Sequence, residues 1–513
     1  MKHRPIVALA LATAVLLPLT GCVSWFLPPT SGASATSTPT GEEVAADLKP
    51  FYDQVLTWKD CQGGMQCTTA KAPLDWANPS AGEIELALIR QPAEGGPRLG
   101  SLLVNPGGPG GSGYDFIKDS VDYATDARLQ SSFDIVGFDP RGVNRSTPVK
   151  CYENPAELDS YLYDIYPGTP GSDEWLAAAN DTMKAFGARC LELTGPLLGD
   201  VDTPSAARDL DMLRAALGDT KLNYLGYSYG TLLGQVYADL FPDKTGKLVL
   251  DGAVDPAASD FDGTATQAKG FESALRAFLA DCSGQDDCPF SGSVDDSMLE
   301  IRALLDSLDA SPLSNPDDGR KLGSSAMFTA IILPLYNADN WMYLRQLFAG
   351  VKQGDASYAF QLADSYNGRN PDGTYADNQT EAFISINCLD AHGDGNVEQM
   401  RAEAAELKKI APVFGPQMSW GGTGCPNWPV PPKRDRVPIV ASGSADILVI
   451  GTTNDPATPY TWAQTVASTL ENGHLITYKG EGHTAYNKSN ACVNDAVDDY
   501  FVNGTVPTAD PQC

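Results

Sequence analysis

Residues 225–230 read Leu-Gly-Tyr-Ser-Tyr-Gly, the one place in the 513-residue chain where a serine stands in a G-x-S-x-G pattern. A serine hydroxyl is a weak nucleophile until a neighbouring base takes its proton, so Ser228 needs a base and an acid to orient it. The chain has four histidines. His3 falls in an N-terminal leader that is removed, while His474, which opens the apolar run HLITY, and His392, near Cys388, both fit ordinary polar positions. His483, in the glycine-flanked loop Gly480-Glu481-Gly482-His483-Thr484, is the natural base. Asp455, in TTNDPATP and 28 residues upstream, is the natural acid. Such a set performs acyl transfer: Ser228 attacks a carbonyl, His483 takes and returns the proton, and Asp455 holds the imidazole and stabilises its cation. Because neutral His483 is the base, activity should fall as the solution is acidified.

The oxyanion formed in such an attack needs hydrogen-bond donors. The run LLVNPGGPGGSGYDF, residues 102–116, carries Gly108, Gly110 and Gly113 at G-x-G-x-x-G spacing, and Asp139 ends the next apolar run, so a dinucleotide cradle has to be weighed. Pro109 inside the pattern and polar loop character continuing through Ser112 and Gly113 argue against it. The other reading is a loop upstream of a nucleophile turn that supplies one oxyanion amide, Gly108, with Tyr229 after the serine as the second. One such donor is worth roughly 2.7–4 kcal/mol in the transition state.

These residues need a scaffold. The alternation in EIELALIR and the apolar runs at 100–105, 133–139, 222–226 and in KLVLDGA read as strands. Between them lie a helix with Thr203 as cap, Pro204 in its first turn and Gly218 as its stop, and the helix TLLGQVYADLF. Strand alternating with helix predicts a parallel sheet covered on both faces. From about residue 255 the period turns helical, and strand grammar returns in DILVIGTTNDPATP and HLITYKGEGHT. The order Ser228, Asp455, His483 is that of α/β-hydrolases. The expected architecture is therefore an α/β-hydrolase fold, with core halves at 46–255 and 439–513 and a mainly helical cap, 256–438, inserted between them.

Lys2, His3 and Arg4 precede an apolar run at 6–19 that suits a signal peptide better than a membrane span. Leu19-Thr20-Gly21-Cys22 resembles a bacterial lipobox, which implies that residues 1–22 are a lipoprotein signal and that acylated Cys22 is the mature N-terminus. Residues 23–45, rich in Ser, Thr, Pro, Gly and Ala, read as a flexible tether. The expected location is the outer face of the bacterial cytoplasmic membrane, with release to the medium as the variant. A net charge of −30 excludes nucleic acid as a partner. Ten cysteines beyond Cys22 form an even set suited to an oxidising compartment. Pairing sequential neighbours joins Cys61 to Cys67, Cys151 to Cys190, Cys282 to Cys288, Cys388 to Cys425 and Cys492 to Cys513. Without C-x-x-C pairs, no metal and no cofactor is expected.

The leader with its lipobox, NPGGPGGSG, FDIVGFDPRGVNRS, AARDLDMLRAALG, YLGYSYGT, LVLDGAVDP, INCLD, CPNWPVPP, NDPATPY and the GHT loop together resemble the secreted tripeptidyl aminopeptidases of actinobacteria. These belong to the proline-iminopeptidase-like branch of α/β-hydrolases, and the match runs from about Cys61 to Cys513. Relatives in that branch carry His-Gly-Gly-Pro-Gly where this chain has Pro106-Gly107-Gly108-Pro109-Gly110, which departs from a simple iminopeptidase. The resemblance implies an exported serine peptidase with a helical lid and no metal, cleaving short peptides near a free N-terminus; a monomer is the separate expectation. Carboxylates of the acidic insertion, Glu272 and Asp390 among them, are available to hold the substrate ammonium. The alternative with the same triad is a cell-envelope carboxylesterase; a non-catalytic solute-binding lipoprotein is a third reading.

Overall fold

The apolar runs become the middle of one sheet. The computed structural model describes residues 35–95, 98–390, 393 and 395–513, so the leader, Cys22 and His392 lie outside it. The strands of its main sheet are β1 (Ala35–Thr36), β2 (Thr57–Asp60), β3 (Gln66–Pro73), β4 (Glu83–Gln91), β5 (Ser101–Asn105), β6 (Asp134–Phe138), β7 (Leu222–Tyr227), β8 (Thr245–Asp251), β9 (Ile447–Asn454) and β10 (Gly473–Glu481). Among the described residues they form a ten-stranded sheet in the order β1-β2-β3-β4-β6-β5-β7-β8-β9-β10. From β6 to β10 neighbours run parallel, and the first four strands join antiparallel. β5 and β6 are buried at every residue, as strands covered on both faces must be. Because the six parallel strands point one way, the segments that follow β5, β7, β8, β9 and β10 gather at one edge, where open α/β sheets bind ligands.

Between β8 and β9 the chain forms a helical layer with its own apolar core, which includes Phe271, Phe278, Met327 and Phe348. Helices Pro155–Tyr163 and Asp173–Thr194, which lie between β6 and β7, pack against it. Arg369 pairs with Asp159 at 2.7 Å, and the Tyr163 hydroxyl donates to Asp364 at 2.7 Å. The cap thus draws on two stretches of chain, where the sequence pointed to 256–438 alone.

Two further expectations need correction. Residues 35–45 fall in the expected tether, yet they pack on the core: β1 pairs with β2, Thr40 donates to the Ala215 carbonyl at 3.0 Å, and Glu42 meets the buried Arg214 at 2.7 Å. A buried guanidinium needs a carboxylate, and Glu42 supplies it together with Asp211. The helix expected to be capped by Thr203 is capped by Asp202, which accepts from the Ser205 amide at 2.8 Å. Thr203 is its first helical residue, and Gly218 ends it in the left-handed region at φ 90°.

The five sequential cysteine pairs are bonded. A framework of this kind belongs to a protein of an oxidising, extracellular environment. Among the described residues no helix is long and apolar enough to cross a membrane.

Arg141, from the FDPRG segment, is fully buried. It donates to both oxygens of Asp209 at 2.7 and 2.6 Å and to the carbonyls of Pro73, Leu74 and Asp200 at 3.1, 3.1 and 3.0 Å. One side chain therefore ties the end of β3, the loop after β6 and the Thr203–Leu217 helix together. Removing its carboxylate leaves a buried charge unpaired. Asp209→Ala should lower the unfolding free energy by about 3–5 kcal/mol; urea unfolding checks this, and an unchanged midpoint would show that the pair is not a structural anchor.

Candidate active site

Ser228 sits where β7 turns into the Tyr229–Leu240 helix, with φ 55° and ψ −122°. A residue with a Cβ adopts such a backbone only when its surroundings hold it there. Here the Ser228 amide donates to the Asp251 carbonyl at 2.9 Å, and the Ser228 carbonyl accepts from the Thr231 amide and hydroxyl at 2.9 and 2.6 Å. Packing dictates the flanking glycines. A Cβ at Gly226 would stand 2.4 Å from the Gly230 oxygen, and one at Gly230 would stand 2.9 Å from Asn105 Oδ1. Tyr227 and Tyr229 are buried while Ser228 is only half-buried, so the turn lifts the serine alone toward the open edge.

The glycine loop after β5 presses against this turn. At Gly107, φ 99°, a Cβ would lie 2.6 Å from the Tyr227 oxygen and 2.9 Å from Ser228 Cβ. The Gly107 amide is spent on Asn105 Oδ1 at 2.9 Å. Among the described residues the amides of Gly108 and Tyr229 have no acceptor, which leaves both free to donate. The peptide between Gly108 and Pro109 is cis. The dinucleotide reading fails on Asp139: its buried carboxylate accepts from the Ser112 hydroxyl and the Tyr114 amide at 2.5 and 3.1 Å. A negative charge thus already occupies the start of the Gly113–Ala124 helix, where a phosphate would have to sit.

Asp455 follows β9 and His483 follows β10. Nδ1 of His483 lies 3.0 Å from each oxygen of Asp455. The buried carboxylate also accepts the amides of Ala457, Thr458 and Thr484 at 2.9, 2.8 and 3.3 Å and the Thr458 hydroxyl at 2.9 Å. So many donors fix its orientation, and binding at Nδ1 leaves Nε2 as the nitrogen free to take a proton. Tyr336 adjoins the base from the helical layer: its carbonyl accepts the His483 amide at 2.8 Å, and its ring lies 5.4 Å from the imidazole. Ser228 Oγ and His483 are not hydrogen-bonded; such contacts in unliganded sites commonly close when substrate binds.

What holds the two together is Asp251, the last residue of β8. Its carbonyl takes the Ser228 amide, while its carboxylate takes the amides of Ala485 at 2.9 Å and Tyr486 at 2.8 Å. Burial pushes its carboxyl above the ordinary carboxylate range. A Cβ at the next residue, Gly252, would stand 3.2 Å from His483 Cε1 and 2.8 Å from Thr458 Oγ1, so the imidazole rests on bare backbone.

Sequence reading missed Asp251, Thr458 and Tyr336. The first has a signal, an acid and a glycine closing an apolar strand; the second lies three residues past an acid, where an Asx-type turn forms; Tyr336 has none. The remaining candidates are engaged elsewhere. His474 pairs with Asp446 at 2.7 Å on the surface. Glu272 accepts the Val413 and Phe414 amides at 3.1 and 3.2 Å, and both oxygens of Asp390 accept from Thr203.

A nucleophile turn, a glycine loop and a His–Asp pair at the carboxyl edge of a parallel sheet define the serine hydrolases of the α/β-hydrolase fold. Residues 411–513 match the family model described as TAP-like protein. The chain is 34% identical over 494 residues to Serine protease Hip1 of Mycobacterium tuberculosis, covering 91% of this chain and 92% of that protein. It is also 34% identical over 529 residues to Carboxylesterase B of that organism, covering 100% and 99%. Against Tripeptidyl aminopeptidase of Streptomyces lividans it is 29% identical over 470 residues, covering 89% and 86%. The chain belongs to this tripeptidyl-aminopeptidase-like family of α/β-hydrolases.

The packing at Gly107 gives a direct test. In Gly107→Ala the new methyl has to displace the nucleophile turn, so kcat/KM should fall about 100-fold or more, on the scale of a lost oxyanion donor. Circular dichroism should remain that of the folded protein. Retained activity would show that the loop does not set the turn.

Proposed function

We propose that the chain is an exported serine peptidase that hydrolyses peptide bonds near a free N-terminus, in the manner of a tripeptidyl aminopeptidase. Ser228 forms the acyl-enzyme, His483 moves the proton, Asp455 orients the imidazole, and the amides of Gly108 and Tyr229 receive the oxyanion. The observation that carries this reading is the His483–Asp455 pair at 3.0 Å on the same sheet edge as the positive-φ turn of Ser228. The helical layer supports this reading to the extent that it reaches the base, with the Tyr336 ring 5.4 Å from the imidazole of His483. On this reading the protein is a monomer, held to the outer face of the membrane through a lipid on Cys22.

The reaction follows from the parts. As the Ser228 hydroxyl attacks the carbonyl, its proton passes to Nε2 of His483, and the cation that forms is stabilised by the carboxylate bound at Nδ1. The proton then moves to the leaving amine, and a water molecule repeats the cycle on the acyl-enzyme. Equal similarity to a carboxylesterase keeps ester hydrolysis as the second reading, since the same parts cleave either bond.

Products of a peptide library, read by mass spectrometry, separate the two. Tripeptides released from unblocked N-termini and absent with Ser228→Ala support the peptidase; turnover of short acyl esters without peptide cleavage would reject it. Asp455→Asn should reduce kcat about 10⁴-fold without unfolding the protein, by favouring the wrong imidazole tautomer.

A further inference from the structure

The residue after the nucleophile is anchored by its side chain as well as its backbone. The buried Tyr229 hydroxyl lies 2.5 Å from Thr203 Oγ1, and that oxygen lies 2.5 Å from Asp390 Oδ2. Asp390 Oδ1 accepts the Thr203 amide at 2.8 Å. Each hydroxyl has one proton and an ionised carboxylate only accepts. Thr203 therefore gives its proton to Asp390 and accepts that of Tyr229, so the chain runs in one direction from phenol to carboxylate. Burial holds the phenol well above its ordinary pKa, which keeps it a donor.

Asp390 closes the Gln379–Asp390 helix of the helical layer. The start of the same helix meets the glycine loop: a Cβ at Gly110 would stand 2.8 Å from the Gln379 oxygen and 3.0 Å from the Phe383 nitrogen. One rigid element thus touches the loop that carries Gly108 at one end and, through Thr203, the side chain of Tyr229 at the other. We infer that Asp390 is a positioning residue for the oxyanion donors, with the Gln379–Asp390 helix acting as the spacer that fixes the Tyr229 amide relative to Gly108. This rests on Ser228 being the nucleophile.

The plainer role is a cap on the Thr203–Leu217 helix, and two variants distinguish them. Asp390→Asn keeps an oxygen for the Thr203 amide but presents an NH₂ donor to the Thr203 hydroxyl, which reverses the chain and leaves the phenol facing a second donor. Tyr229→Phe removes the last link and keeps the ring. Each should lower kcat about ten-fold with KM nearly unchanged, the mark of an interaction made only in the transition state. Each should weaken a peptidyl trifluoromethyl ketone, which places an oxyanion on the serine adduct, by a similar factor. Lower thermal midpoints with kcat and inhibitor affinity within two-fold of wild type would overturn the inference and leave only the cap. Fluorophosphonate labelling of the wild type at Ser228 is the separate control. Its absence would overturn the nucleophile and this inference with it; labelled wild type with unaffected variants overturns this inference alone.

Discussion

The site depends on the end of β8. Ser228 and His483 sit on loops from different strands, and nothing in a parallel ladder brings such loops into register. Asp251 does so with one residue, its carbonyl holding the turn at Ser228 and its carboxylate holding the loop that follows His483. Gly252 then leaves room for the imidazole, and its own amide donates to the Ile450 carbonyl of β9 at 3.1 Å. The cost is a carboxylate buried away from solvent, offset by the backbone donors that bond it.

Around that anchor the backbone is packed more closely than side chains allow. Gly107, Gly226, Gly230 and Gly252 each mark a place where a methyl would strike the turn, a neighbouring strand or the base. The strain of Ser228 persists because every group about it is fixed. The loop that resembles a phosphate cradle serves this packing.

Much of this was legible beforehand. The parallel strands announce themselves as unbroken apolar runs because they are covered on both faces, and the chain order of Ser228, Asp455 and His483 follows from the order of the strands. β3, by contrast, reads QCTTAKAP, polar and half-exposed, and gave no strand signal. Residues 35–45 look like a linker because what orders them, the buried Arg214, lies far away in sequence. Thr203 looks like a cap by composition, but its hydroxyl is engaged by Asp390 and Tyr229, and Asp202 takes the role. Glu272 and Asp390 carry the charge a ligand site needs; only tertiary contacts reveal that both are already occupied.

The cysteine framework has a consequence for assembly. Every bridge joins neighbours in the series, with separations of 6, 39, 6, 37 and 21 residues. A chain emerging N-terminus first can therefore close each crosslink when its second cysteine appears, without holding an earlier thiol in reserve. The short loops also keep the entropic cost of each closure low. None of the five spans the passage from β8 into the helical layer or back to β9, so that passage carries no crosslink and is held by packing and by hydrogen bonds such as those from Thr203 to Asp390 and from His483 to the Tyr336 carbonyl.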